Sequence, residues 1–191
     1  MNLNRADAIT LVEGVNWIQV IAPLDGLKQP TADFHSDAIS NDEDRSLLFA
    51  MRAQSDAIVV TKKTAIAENY RASKFAPIFV IDRDGLSPHF SPVAPADDRK
   101  GIALVNNIDE VGRAVSKGAP RVLLESGRTY AAALASTGLV KRLILVVPTL
   151  DSNVASATVH STLIDLGINA SREVARLVGS QNTIFVLDAP R

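Results

Sequence analysis

The chain is predicted to be an α/β protein, a mainly parallel sheet flanked by helices and closed by a C-terminal antiparallel hairpin. Three observations predict this. Short uninterrupted apolar runs (Ala57–Val60, Pro77–Ile81, Val122–Leu124) alternate with helix-like stretches between Val15 and Val122, the pattern of strands covered on both faces. Arg121–Pro148 reads as strand, small-residue turn, alanine-rich helix and second apolar strand in direct succession. Finally, Arg172–Val178 and Thr183–Leu187 are strand-like runs joined by Gly179-Ser180-Gln181-Asn182, a hairpin by composition.

Taken in order, Leu3–Glu13 is either a short surface helix or an ordered tail. Val15–Ile21 alternates and carries β-branched residues, so it is read as a strand with Trp17 in the core. The strand ends at Pro23, and Leu24-Asp25-Gly26 makes a turn. Gln29–Ile39 is polar and irregular. Ser40, with Glu43 three residues on, forms a capping-box pattern for a helix that places Leu47, Leu48, Ala50 and Met51 on one face and ends near Ser55. Asp42, Glu43 and Asp44 suit the positive end of that helix and are given no chemistry. Asp56–Val60 is a buried strand, Thr61-Lys62-Lys63-Thr64 a polar turn, and Ala65–Asn69 a helix. Pro77–Ile81 is a third strand, ending in the turn Asp82-Arg83-Asp84-Gly85. Leu86–Arg99, with Pro88, Pro92 and Pro95, is read as a loop or edge excursion. Ile102–Val105 is a strand, and Ile108–Lys117 a helix with Val111 and Val115 inward, closed by Gly118. After the strand Val122–Leu124 comes a helix over Thr129–Ser136, stopped by Gly138, and then the strand Leu143–Val147. Asp151–Gly167 is ambiguous, with Thr162–Ile168 either a strand or a short helix.

At 191 residues, 47% hydrophobic and 21% charged, the chain suits a single domain over residues 1–191 with a sizeable core. A net charge of -1 without a block of like charges gives no support to nucleic-acid or membrane-surface binding. The absence of cysteine excludes disulfides and thiolate chemistry. No apolar run near Met1 reaches the length of a signal peptide or a spanning helix, and a cytoplasmic protein is expected. His35, His89 and His160 lie far apart without ligand spacing, so no metal site is expected.

Two turns carry candidate chemistry. Strand, tight turn and helix aim backbone N–H groups at an anion, and at Glu125-Ser126-Gly127-Arg128 the glycine permits close approach while Arg128 adds charge. The competing reading is an ordinary α/β turn. Thr61-Lys62-Lys63-Thr64 repeats the arrangement with hydroxyls and lysines. Lysines are mildly unfavourable at a helix start, which favours a ligand there over a solvated face.

These pieces resemble, in order, the reductase domain of bacterial riboflavin biosynthesis and the free-standing pyrimidine-reductase-like proteins, a family of dihydrofolate-reductase-like fold. Leu24-Asp25-Gly26 is similar to the family's Ser-Leu-Asp-Gly turn, and Ser40 to Arg45 to its Ser-x-x-x-Asp-Arg helix start. Ala57–Val60 with Thr64 and Ala67-Glu68-Asn69-Tyr70 resembles its "VGAGT…AE-G-Y" segment. Glu125 to Thr129 with Gly138-Leu139-Val140 resembles "EGGPT…GLVDEL". The resemblance implies an NADPH-dependent oxidoreductase, 5-amino-6-(5-phosphoribosylamino)uracil reductase-like, that transfers a hydride to a pyrimidine- or pterin-like heterocycle. It implies Thr61, Thr64, Ser126, Gly127, Arg128 and Thr129 at the cofactor phosphates and Arg83 at the adenosine phosphate. Asp25, Lys28 and Glu68 would lie at the substrate, with Glu125 and Asp25 as catalytic residues. A homodimer is implied too, and a sheet with an apolar edge would gain from such pairing.

Hydride transfer asks mainly for positioning and one proton source. Glu125 is expected to protonate or hydrogen-bond the acceptor nitrogen; its alternative role is to tie the following turn. The chain departs from the family where Gly-Ala-Gly-Thr becomes Thr61-Lys62-Lys63-Thr64, where Leu27 precedes Lys28, and where Lys141-Arg142 replaces Asp-Glu. At the first of these, a Cβ blocks the pyrophosphate or lysine charge replaces the lost room. The alternative is therefore a non-catalytic member that binds a nucleotide or a partner.

Overall fold

A computed structural model describes residues 5–21, 42–83, 91–115, 120–135, 137–168 and 172–189, without the side chains of residues 5–8, 128 and 135. The expectations for Asp25, Lys28, the Ser40 cap, His35, His89 and Gly118 lie outside the described residues. Helix α1 (Arg5–Val12) precedes β1 (Trp17–Ile21), α2 (Asp42–Ala53), β2 (Ala57–Thr61) and α3 (Lys62–Ala67). Strands β3 (Ile78–Ile81) and β4 (Ile102–Val105) follow, then α4 (Ile108–Ala114), β5 (Val122–Glu125) and α5 (Arg128–Ala135). The chain continues with β6 (Arg142–Val147), α6 (Ser152–Asp165), β7 (Arg172–Val178) and β8 (Thr183–Asp188).

The strands form one sheet in the order β4-β3-β2-β5-β1-β6-β8-β7. All pairs from β4 to β6 are parallel, and β6-β8 and β8-β7 are antiparallel, as the sequence predicts. Alternation along each strand sorts the apolar residues onto two faces. On one, Val59, Val122, Leu124 and Leu145 pack with Val111, Ala131 and Val159 from α4, α5 and α6. On the other, Ile18, Leu123 and Ile144 meet Leu11 of α1 and Leu47 and Met51 of α2, while Ile58, Val60 and Val80 meet Ala65 of α3.

One open expectation is settled and one is corrected. The ambiguous stretch after Pro148 is the helix α6, capped by the Asp151 carboxylate, which accepts from the N–H groups of Asn153 and Val154. Helix α3 starts at Lys62 rather than Ala65, because Thr61 caps it. The outer strand β7 exposes Val174 and Val178 beside Arg172, Glu173 and Arg176, a mixed edge, and carries a bulge between Glu173 and Ala175.

Glu43 does more than suit a helix end. It is buried, and its carboxylate accepts from the backbone N–H groups of Ser180 (2.8 Å), Gln181 (3.2 Å) and Asn182 (3.3 Å). It thereby fastens the hairpin turn to the first turn of α2. A side chain at Gly179 would collide with this carboxylate, which is why the turn begins with glycine.

Candidate active site

The parallel strands β1, β2, β3 and β5 all end at one edge of the sheet. Glu125 pairs in register with Val20 and Val60, and Thr61 with Ile81, so the turns after β2 and β5 leave from adjacent strands. Crevices for ligands form at such edges in α/β sheets.

Glu125 shares Leu123's face of the sheet by alternation and points between the apolar clusters under α2 and α3. A charge at 7% exposure needs partners, and Arg52, in the last turn of α2, supplies a fork. Its Nε donates to Oε1 at 2.8 Å and its Nη2 to Oε2 at 2.5 Å. The Tyr70 hydroxyl also donates to Oε2 and accepts from Arg52 Nη2 at 2.9 Å. The guanidinium lies 5.3 Å from the Tyr70 ring centroid and 5.8 Å from that of Phe49. Burial first, and then the negative charge of Glu125, push the Tyr70 hydroxyl well above its ordinary range. Burial works against the charge on Arg52, yet its bonds to Glu125 outweigh that and hold the guanidinium above its ordinary range, so it stays charged.

The backbone after α3 is what aims Tyr70. Asn69 takes the left-handed conformation at φ 47°, Asn69 N–H donates to Ile66 O at 3.1 Å, and Tyr70 N–H donates to Ala65 O at 2.9 Å. This pair of bonds is a Schellman ending. Asparagine tolerates the left-handed region as few side chains do, so it serves where the similar segment has glycine. Glu68, the C-cap of α3, adds its charge to those acting on Tyr70.

The turn after β2 is closed on itself. Thr61 Oγ1 accepts from Thr64 N–H at 3.3 Å and lies 2.9 Å from Thr64 Oγ1. Lys62 Nζ donates to the buried Asp82 carboxylate, beyond the end of β3, at 2.6 Å. That ion pair offsets the cost of a lysine at a helix start. Lys63 is exposed.

The turn after β5 is different. Gln19, fully buried in β1, donates through Nε2 to Leu124 O at 3.1 Å and to Ser126 Oγ at 3.3 Å, fixing the point where the chain leaves the sheet. Gly127 accepts at its carbonyl from Tyr130 and Ala131 N–H, both at 3.1 Å, as α5 begins. Its φ is not in the left-handed region, and a Cβ built there meets no atom within 4 Å. Gly127 and Thr129 are exposed, and the Arg128 side chain lies outside the described set. The Arg83 guanidinium lies 5.8 Å from the ring centroid of Tyr130, which brings Arg83 beside the first turn of α5.

Of the residues singled out by sequence, the structure thus gathers Thr61, Thr64, Glu68, Arg83, Glu125, Ser126, Gly127 and Thr129 along one sheet edge. Sequence reasoning gave no role to Arg52, Tyr70, Gln19 or Asp82. Tyr70 stood in a quoted motif and Asp82 in a predicted turn; Arg52 and Gln19 carry no local signal. Among the described residues no group of three or more His, Cys, Asp or Glu could hold a metal ion, and no helix is long and apolar enough to cross a membrane.

No family model and no curated protein sequence matches the chain. Solved structures do match. A pyrimidine reductase-like protein from Corynebacterium diphtheriae is similar at TM-score 0.59 and 16% identity, over 96% of this chain and 95% of that one. The riboflavin biosynthesis reductase Rib7 of Saccharomyces cerevisiae is similar at TM-score 0.54 and 12% identity, over 92% and 90%. RibD of Acinetobacter baumannii (form 2) is similar at TM-score 0.58 and 19% identity, over 98% of this chain. The chain spans 59% and 62% of the RibD chains in forms 1 and 2. At these identities the likeness establishes the fold: this chain has the fold of the riboflavin-biosynthesis reductases.

Proposed function

We propose that the chain is an NADPH-dependent reductase that transfers a hydride to a pyrimidine- or pterin-like heterocycle. The observation that carries this reading is the turn at Ser126–Thr129. It opens α5 at the shared edge of a reductase-like sheet, and among the described residues beyond its chain neighbours nothing would meet a Cβ at its Gly127, whose φ is not in the left-handed region. A glycine so placed suits close approach of a phosphate to backbone. Ser126, Gly127, Arg128 and Thr129 would hold the cofactor phosphates, with Arg83 supplying charge toward the adenosine end. Thr61 and Thr64 would line the opposite turn. NADPH supplies the hydride when bound; the chain's residues bind, orient and exclude water. Glu125 would hydrogen-bond the heterocycle from the adjacent strand end, with Glu68, Asp25 and Lys28 on the substrate side. The protein would act in the cytoplasm as a homodimer.

The reading is tested by following NADPH absorbance at 340 nm with a panel of aminopyrimidinones and pterins. Substrate-dependent oxidation is expected, and absence of NADPH binding at millimolar concentration would remove the reading. A second reading, a nucleotide- or partner-binding protein without turnover, is favoured by the Lys62–Asp82 pair, which fills the turn after β2 with side chains. Measurable NADPH oxidation with any heterocycle excludes it.

A further inference from the structure

The partners of Glu125 restrict what this carboxylate can recognise. A carboxylate offers about four lone-pair positions, and only the two parallel ones can meet a planar fork of two N–H donors. Arg52 Nε and Nη2 already occupy that parallel pair, one on each oxygen. The Tyr70 hydroxyl takes another position on Oε2, and its own oxygen is held by Arg52 Nη2, so its proton is committed to the carboxylate. Among the described residues nothing takes the remaining acceptor position, on Oε1 of a side chain that keeps 7% exposure.

We infer that Arg52 and Tyr70 are positioning residues that fix Glu125 as an acceptor for a single N–H or O–H donor, and that they exclude the two-donor fork of a 2-aminopyrimidine or pterin ring. The inference rests on the reductase reading for the site's use, and narrows its substrate class to heterocycles that reach Glu125 with a hydroxyl or an isolated ring N–H. The restriction is built from distant parts of the chain, since Arg52 and Tyr70 are separated from Glu125 by 73 and 55 positions. Arg52 is held in turn by Tyr70 and the face of Phe49, so the fork cannot turn away without losing both contacts.

The probe is 2,4-diaminopteridine, whose ring takes up a proton when a carboxylate binds its donor fork and whose absorbance shifts accordingly. Titration of the wild-type protein to millimolar probe is expected to give no protonated-ring spectrum; a saturable one overturns the inference. Arg52→Leu frees the parallel lone pairs and is expected to gain that spectrum with affinity raised about tenfold or more, the worth of hydrogen bonds to a charged group. A variant with intact circular dichroism that gains nothing contradicts the assignment of Arg52. Tyr70→Phe leaves the Arg52 fork in place and is expected to behave as wild type toward the probe; a gain equal to that of Arg52→Leu also contradicts it. Should Arg52→Leu fail to fold, the wild-type titration and Tyr70→Phe still decide. A separate NADPH titration reports on the reductase reading, so failure of that reading and failure of this inference are distinguishable.

Discussion

The turns after β2 and β5 have the same plan, a parallel strand ending at one sheet edge followed at once by a helix, yet they are finished in opposite ways. At Thr61–Thr64 the turn satisfies itself: Thr61 caps α3, the two hydroxyls meet each other, and Lys62 reaches Asp82. At Ser126–Thr129 the turn is anchored from beneath by Gln19, and Gly127 and Thr129 are exposed, with no described residue crowding the glycine. The difference teaches that a shared strand–turn–helix plan does not assign a shared task. Side chains that complete one turn internally give it a structural role, and a bare turn leaves its N–H groups for something else.

That contrast can be broken in several places. The largest effect is expected beside the β5 turn, at the buried ion pair. Arg52→Ala leaves Glu125 without its fork and should cost about 3–5 kcal/mol in chemical denaturation, the range for breaking a buried pair. Next comes the alkaline limb. The raised ionisation of Tyr70 means that its neutral form stabilises the fold. This contribution is fully present below the ordinary tyrosine range and is lost as pH rises above about 10, by at most roughly 1.4 kcal/mol per pH unit. Tyr70→Phe should flatten that slope, measured by denaturation between pH 9 and 11; an unchanged slope would assign it to other groups. At the β2 turn, Thr61→Ala removes the cap of α3 and should cost about 1 kcal/mol. The smallest change belongs to Lys63, which is exposed: Lys63→Ala should stay within about 0.5 kcal/mol of wild type. A larger loss of stability at Lys63 would mean that the turn is braced there as well.

Much of the fold was legible because the parallel strands are covered on both faces and therefore read as unbroken apolar runs, as in Ala57–Val60 and Leu143–Val147. The hairpin was legible from its turn residues. Helix α6 was not, because its valines and threonines suit strands. In the structure Thr158 and Thr162 turn their hydroxyls back to the carbonyls of Val154 and Thr158, at 2.9 and 2.7 Å, which satisfies them within a helix. At the site, the strand-end placement of Glu125 followed from sequence, since it comes directly after Val122–Leu124. Its partners did not, since Arg52 and Tyr70 meet it only through tertiary packing. Gln19 was hidden for the same reason: an amide in an alternating strand carries no sign that it will reach a turn 107 residues away.

The central claim, that the bare turn after β5 is the cofactor turn, is tested most directly by titrating NADPH into wild type and Gly127→Val and following the cofactor's fluorescence. Space beside Gly127 predicts that the valine costs the fold no more than the about 1 kcal/mol of a poorer N-cap residue while weakening NADPH binding by about tenfold or more, a loss of roughly 1.4 kcal/mol. Equal NADPH affinity in the two proteins, or no binding to wild type at millimolar cofactor, would contradict it.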